Sequence, residues 1–164
     1  MTKFVIIDDV LPENDRNIIS EYVYVQQNLI DVFEEFYKFN SHPSHEKLIN
    51  IAGKYFDMSK AVGYEMWSNK QALGKHIDKD ERRAKNGILS YPICSIVYYP
   101  IIENLVGGLL CMDDLTITPK QNRAVIFGPR VMHWAEKFTG KRLAIAINPF
   151  DYDTRGKKHE VRYR

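Results

Sequence analysis

The hydrophobic repeat changes its period near Met58, and that change limits the possible folds more than any other feature of the chain. Before it, Ile18, Ile19, Tyr22, Val25, Leu29, Val32, Phe33 and Phe36 recur at helical spacing, and so do Leu48, Ile51, Ala52, Tyr55 and Phe56. After it, short apolar runs alternate with turn residues. Helices followed by many short strands predict an α+β molecule, a double-stranded β-helix (jelly roll) with its N-terminal helices packed on one sheet. A short strand is expected over residues 3–7, with Pro12 in the first turn of a helix. One long helix, or two with a break, is expected over 13–39, then a turn, then a second helix with Ser44 as its N-cap. His42 and His45 read as surface or capping residues beside that turn. Strands are expected at 61–68, 75–78, 91–99 (ended by Pro100), 107–112, 116–118, 124–127, 131–136 and 142–148. The polar stretch 80–87 reads as a mobile loop.

With 164 residues, 45% hydrophobic and 27% charged, the chain suits a single domain with a sizeable core. The expected division is an N-terminal strand and helices over about 1–58, the jelly-roll core over about 59–150 and a basic tail over about 151–164. After Thr154 the tail carries Arg155, Lys157, Lys158, Arg162 and Arg164 against Glu160, so the net charge of +2 conceals a basic end on a slightly acidic body. Such a tail either meets phosphate or an acidic partner or is a solvated terminus, and the second reading is adopted. Asp8 and Asp9 directly follow a short apolar run, which argues against a secretory leader. No apolar run is long enough for a membrane span. Cys94 and Cys111 sit in apolar runs and read as buried free thiols, so a cytoplasmic location is expected.

Chemistry concentrates at His76, Asp78, His133 and Arg142. On an extended strand, residues two apart point to the same side, so the His76 imidazole and the Asp78 carboxylate converge. His133 arrives just after the apolar run Ala124-Val125-Ile126-Phe127. Two histidines and one carboxylate with open positions form the facial triad of non-haem Fe(II) sites, although zinc takes similar three-ligand sets. Arg142 opens the apolar run Arg142-Leu143-Ala144-Ile145-Ala146-Ile147. A guanidinium there is costly unless it meets an anion, and a carboxylate bound bidentately is its natural partner. Alternation places Arg142, Ala144, Ala146 and Asn148 on one face, where two alanines leave room for a ligand. Taken singly, each residue has an ordinary reading: a polar strand face, a satisfied core histidine, an internal ion pair. Four such coincidences in chain order favour the metal site.

The order His-x-Asp, distal His, then Arg resembles the Fe(II)/2-oxoglutarate-dependent dioxygenases, with the spacing of their prolyl-4-hydroxylase-like branch. The resemblance runs from about residue 1 to residue 150. It implies that His76, Asp78 and His133 hold Fe(II) and that Arg142 grips the far carboxylate of 2-oxoglutarate. It further implies that dioxygen is consumed, that 2-oxoglutarate is converted to succinate and CO2, and that a substrate C–H bond is hydroxylated. In Ser95-Ile96-Val97-Tyr98-Tyr99 the second tyrosine matches the position from which relatives hydrogen-bond that carboxylate. Tyr99 is therefore the expected helper of Arg142, with Tyr98 packing on the opposite face. Trp67 stands near a position where relatives often place a tyrosine; it either lines the pocket or packs in the core. Trp134 is expected to point away from the site. The resemblance implies a peptidyl, prolyl-type substrate. Alternatives are a small metabolite or free amino acid, or a metal-binding jelly roll without turnover. Relatives acting on nucleic acid carry a second arginine near the last strands, which 142–147 lacks, so a nucleic-acid partner is not expected.

Overall fold

The computed structural model describes residues 4–28 and 35–155. Its strands are β1 (Phe4–Ile7), β2 (Glu35–Lys38), β3 (Gly63–Asn69), β4 (Leu73–His76), β5 (Ser95–Gly107), β6 (Leu110–Met112), β7 (Leu115–Ile117), β8 (Arg123–Phe127), β9 (His133–Ala135) and β10 (Phe138–Phe150). Helix α1 (Glu13–Asn28) and helix α2 (Pro43–Ala52) lie in the first third, and a short α3 (Glu81–Ala84) follows β4. The strands form two antiparallel sheets, a six-stranded one in the order β1-β8-β5-β10-β3-β2 and a four-stranded one in the order β4-β9-β6-β7.

Strand alternation divides the core in two. One set joins Ile96 and Tyr98 of β5, Ile145 and Ile147 of β10, and Ala124 and Ile126 of β8 to Ile19 and Val23 of α1 and Leu48 and Ile49 of α2. The opposite faces of the same strands send Tyr99, Val125, Phe127 and Ala144 toward Leu110, Met112 and Ile117 of the smaller sheet. The side chains between the two sheets therefore come from alternate positions of long, apolar strands buried on both faces.

The helical pattern from residue 13 ends earlier than its spacing predicts. Helix α1 stops at Asn28, and residues 35–38 pair with β3 as β2, placing Phe36 opposite Glu65. Leu29, Val32 and Phe33, which the long-helix reading used, lie outside the described residues. The start of α2 also differs. Pro43 occupies the first turn, where its missing N–H costs nothing, so Ser44 falls inside the helix instead of capping it. The Ser44 hydroxyl donates to Asp15 Oδ1 at 2.9 Å, and Lys47 donates to Asp15 Oδ2 at 2.6 Å, tying α2 to α1. Glu46 takes over the capping role. Its carboxylate accepts the backbone N–H groups of Asn40, Ser41 and His42 and the Tyr64 hydroxyl. His45 is a core residue, only 2% exposed, because it shares a helical face with Leu48, Ile49 and Ala52. Burial pushes its imidazole pKa down to about 3.

Pro100 does not end its strand. Strand β5 starts at Ser95, four residues later than expected, and runs through Pro100 to Gly107. Its ladder with β10 pairs Tyr98 with Ile145 and then Ile101 with Leu143, so Tyr99 and Pro100 together face Ala144 alone. Proline is tolerated at such a bulge because the extra residue makes no ladder hydrogen bond. Past the bulge the alternation is shifted by one: Ile101 packs with the helix-side core, and Ile102, opposite Arg142, faces the smaller sheet.

Candidate metal centre and anion pocket

Strands β4 and β9 pair so that His76 lies directly opposite His133. Their rings are 4.2 Å apart between centroids. The His76 Nδ1 is 2.7 Å from the Gly74 carbonyl, and the His133 Nδ1 is 3.0 Å from the Val131 carbonyl. A carbonyl can only accept, so in each neutral ring the proton sits on Nδ1 and the Nε2 lone pair is left for a ligand. Both Nε2 atoms face the same oxygen, Asp78 Oδ1, at 3.5 Å from His76 and 3.7 Å from His133. Strand β4 ends at His76, so Asp78 reaches this point from an irregular stretch and not from the ladder. The donor atoms of the three residues lie within 4.8 Å of one another, as a shared metal ion requires, and they form the only such group of three or more among the described residues.

The electrostatics suit a cation. Burial pushes the Asp78 carboxyl up, but hydrogen bonding from His76 and the nearby His133 more than offset it, and its pKa lies below the ordinary value. The Asp78 carboxylate raises the His76 pKa against the effect of burial, whereas burial dominates at His133 and lowers its pKa. Two neutral imidazoles and one ionised carboxylate are the forms that bind a divalent metal.

A narrow pocket runs inward from these three residues between the sheets. Its walls include Val97, Leu110, Ala144 and Ala146, with Trp67 at the metal end and Arg142 at the inner end. Trp67 thus lines the pocket. Trp134 is half-buried, and the Lys75 ammonium lies 4.2 Å from its ring centre. Lys75 and Trp134 are the chain neighbours of His76 and His133, and both border the site, Trp134 among the residues lining the pocket and Lys75 among those lining the cleft outside it.

Arg142 is 3% exposed, and its Nε and Nη1 have no hydrogen-bond partner. Its guanidinium carbon lies 5.4 Å from the Tyr99 ring centre and 5.5 Å from that of Phe138. The Tyr99 hydroxyl is also buried and unpartnered. Burial raises the phenol pKa, partly offset by the Arg142 charge, so the hydroxyl keeps its proton as a donor. Gly108 makes room for the arginine stem: at φ +72°, a Cβ there would stand 3.1 Å from both Arg142 Cδ and Phe138 Cβ. A buried guanidinium with two idle nitrogens and an idle phenol cost several kcal/mol unless an acceptor joins them. A carboxylate fits both donors.

Outside the metal ligands, Trp67, Leu73, Lys75, Ile77, Lys79 and Glu81 line a wider cleft. Inner pocket and outer cleft share His76, Asp78 and Trp67, so the three-ligand centre lies where they meet. The stretch 80–87, expected as a loop, contains α3. Asp80, which sequence reasoning passed over, caps that helix by accepting Arg83 N–H at 2.9 Å. An Asp followed directly by an acidic residue in the first turn, Glu81, was its readable signal. Phe138 was also missed, although it lies on the same strand face as Arg142.

No protein-family model matches the chain, and no curated protein matches it. Solved structures do match in shape. A Pseudomonas putida prolyl-4-hydroxylase superposes with a TM-score of 0.64 at 12% identity, covering 91% of this chain and 88% of that one. The viral collagen prolyl hydroxylase of Paramecium bursaria Chlorella virus-1, solved as a 2-oxoglutarate complex, gives 0.60 at 13% identity, with 89% and 94% covered. A Trichoplax adhaerens prolyl hydroxylase, solved with a hypoxia-inducible-factor oxygen degradation domain peptide, gives 0.59 at 15% identity, with 94% and 86% covered. The chain has a prolyl-4-hydroxylase-like 2-oxoglutarate/Fe(II) oxygenase fold.

Proposed function

We propose that this protein is an Fe(II)- and 2-oxoglutarate-dependent dioxygenase that hydroxylates a C–H bond of a peptidyl substrate, with a prolyl side chain the first candidate. The observation that carries the reading is the pairing of opposite needs along one pocket. Three metal-type donors converge at its mouth, and two unpartnered guanidinium nitrogens and an unpartnered phenol stand at its inner end. A ligand that chelates a metal with one end and presents a carboxylate at the other satisfies both, and 2-oxoglutarate has that form. The donor set fits iron, since two imidazoles and one carboxylate are the residues that would hold Fe(II) while leaving room for a further ligand.

His76 and His133 present Nε2 lone pairs whose direction is fixed by the Gly74 and Val131 carbonyls. Asp78 contributes the negative charge. Arg142 binds the far carboxylate of 2-oxoglutarate through its fork, and Tyr99 donates a further hydrogen bond to it. Val97, Leu110, Ala144 and Ala146 keep water from the chain between the two ends. Iron held here supplies the activation of dioxygen, coupled to oxidation of 2-oxoglutarate to succinate and CO2. The outer cleft receives the substrate with Trp67 at its base. A peptide is favoured because the superposed Trichoplax enzyme was solved with a peptide fragment. Among the described residues no helix is long and apolar enough to cross a membrane.

The test is succinate release with Fe(II) and 2-oxoglutarate, compared across proline-containing peptides, free amino acids and methylated oligonucleotides. Stimulation by the peptides is expected. Stimulation by oligonucleotides alone overturns the peptide assignment, and the absence of succinate under every condition overturns the oxygenase reading.

A further inference from the structure

Asp78 stands outside the β-ladder that fixes His76 and His133; the Ser95 hydroxyl bonds its carboxylate, and its backbone needs an anchor of its own. Two residues on, Asp80 is 1% exposed, a depth at which carboxylates are rare unless fully partnered. Its backbone N–H donates to the Ser90 carbonyl at 2.9 Å. Its Oδ1 accepts Arg83 N–H and starts α3, and its Oδ2 accepts the Tyr152 hydroxyl at 3.0 Å. The Arg83 guanidinium lies 3.7 Å from the Tyr152 ring centre, and its Nη1 donates to the Ser90 hydroxyl at 3.3 Å. Tyr152 packs edge-on against Phe150, the last residue of β10, at 5.5 Å. An unbroken line of contacts therefore joins Asp78 to β10, the strand that carries Arg142.

We propose that the Asp80–Tyr152 hydrogen bond is a latch that positions the Asp78 carboxylate for metal binding and holds the cleft wall formed by Lys79 and Glu81. Asp80 and Tyr152 are positioning residues; neither touches the metal. The inference rests on the reading that His76, Asp78 and His133 bind a metal. A solvated turn would need only the N-cap half of this arrangement. The second carboxylate oxygen is spent on a phenol from the far end of the sheet, 72 residues away in sequence. The latch also accounts for the ordered helix where a mobile loop was expected. This segment is a fixed wall of the site, and substrate enters without having to move it.

The test uses Co(II) as a spectroscopic probe in place of iron, with wild type, Tyr152→Phe, Asp80→Asn and His76→Ala compared at a temperature where all are folded. Tyr152→Phe removes one oxygen atom and is expected to weaken Co(II) binding about tenfold, the low end for groups that orient metal ligands. It should also alter the visible Co(II) spectrum. Asp80→Asn, which keeps the shape but weakens the acceptor, is expected to do the same. Should Asp80→Asn fail to fold, Tyr152→Phe carries the test alone. Wild-type affinity and spectrum in Tyr152→Phe overturn the latch, as does a lowered melting temperature with unchanged affinity in the folded protein. His76→Ala separates the two readings. Lost Co(II) binding there, with unaffected Tyr152→Phe, removes the latch but keeps the metal site; undiminished Co(II) binding in His76→Ala removes the metal site itself.

Discussion

The two ends of the pocket are charged in different ways. At the metal end, the Asp78 carboxylate lies within 3.7 Å of two imidazoles and raises the His76 pKa, so a proton on His76 can balance its charge until a metal takes that place. At the inner end, Arg142 is as deeply buried and carries a full positive charge between two aromatic rings with no acceptor on Nε or Nη1. The first site can wait for its ligand at little cost. The second is strained electrostatically until an anion arrives, because aromatic faces recover only part of the lost hydration. On the proposed function, selectivity for a dicarboxylate belongs to the inner end and affinity for the metal to the outer end.

The largest effect is expected where a metal donor is removed. His133→Ala, like His76→Ala, should abolish stoichiometric Fe(II) binding, measured by metal analysis after anaerobic desalting. Unchanged iron content in both variants would dissolve the contrast between the ends.

Arg142 comes next, with an effect of opposite sign in the two ligand states. Arg142→Lys keeps the charge but loses the fork, and 2-oxoglutarate affinity should fall by about 1–3 kcal/mol in calorimetry. Arg142→Met should leave the ligand-free protein as stable as wild type or more so, by up to about 4 kcal/mol, since an uncompensated charge is replaced by a chain of similar volume. The same variant should gain no thermal stability from added 2-oxoglutarate, whereas wild type should gain about 2.7 kcal/mol at a hundredfold excess over Kd.

Glu46 supplies a reference, a carboxylate remote from the pocket whose acceptors are satisfied by three backbone N–H groups and a hydroxyl. Burial pushes its pKa up, but these donors prevail and hold it below the ordinary value. A depressed folded-state pKa means that its stabilisation is present above the unfolded carboxyl range, near pH 4.5, and is lost as pH falls through the lower folded value. Glu46→Gln should therefore destabilise the protein at neutral pH by about 1–3 kcal/mol, the scale of a hydrogen bond to a charged group. It should also flatten the acid limb of stability against pH, followed by denaturant titration. An unaltered acid limb would show that another group dominates it.

The smallest effect is expected at Tyr99. Tyr99→Phe should leave the ligand-free protein as stable as wild type or slightly more so, because a buried hydroxyl without a partner is removed. It should weaken 2-oxoglutarate by about 0.5–1.5 kcal/mol, the net worth of one hydrogen bond. A loss as large as that of Arg142→Lys would make the phenol an equal partner of the guanidinium.

Much of this arrangement could be read from residue spacing, because strands convert parity into direction. The parity of Arg142, Ala144 and Ala146 places them on one wall, and that of Tyr98 and Tyr99 separates a core tyrosine from one facing the arginine. What escaped the sequence depended on contacts between distant segments. A helical repeat does not reveal that Phe36 belongs to a strand, since four residues beside a partner strand carry too little periodicity to decide. Pro100 read as a strand end because its missing N–H is harmful in a regular ladder, and only the pairing with Ala144 shows the bulge that admits it. His45 and Asp80 read as polar surface. Their burial arises from helix geometry in one case and from Tyr152 in the other.

The bulge at Pro100 divides β5 into two segments with opposite reading frames. Upstream, odd-numbered positions such as Val97 and Tyr99 face the pocket; downstream, the even-numbered Ile102 does. Each segment can thus drift under its own constraint, the first answering to the pocket between the sheets and the second to the distal arm of β10. Removing one residue at this junction would rotate every side chain of one half by half a turn, while leaving the other half in place. Comparison of distant relatives by ungapped alignment across Pro100 would then match inward positions to outward ones. The frame has to be counted separately from Ser95 to Tyr99 and from Ile101 to Glu103, because a second register shift opposite Gly140 separates the latter from Val106.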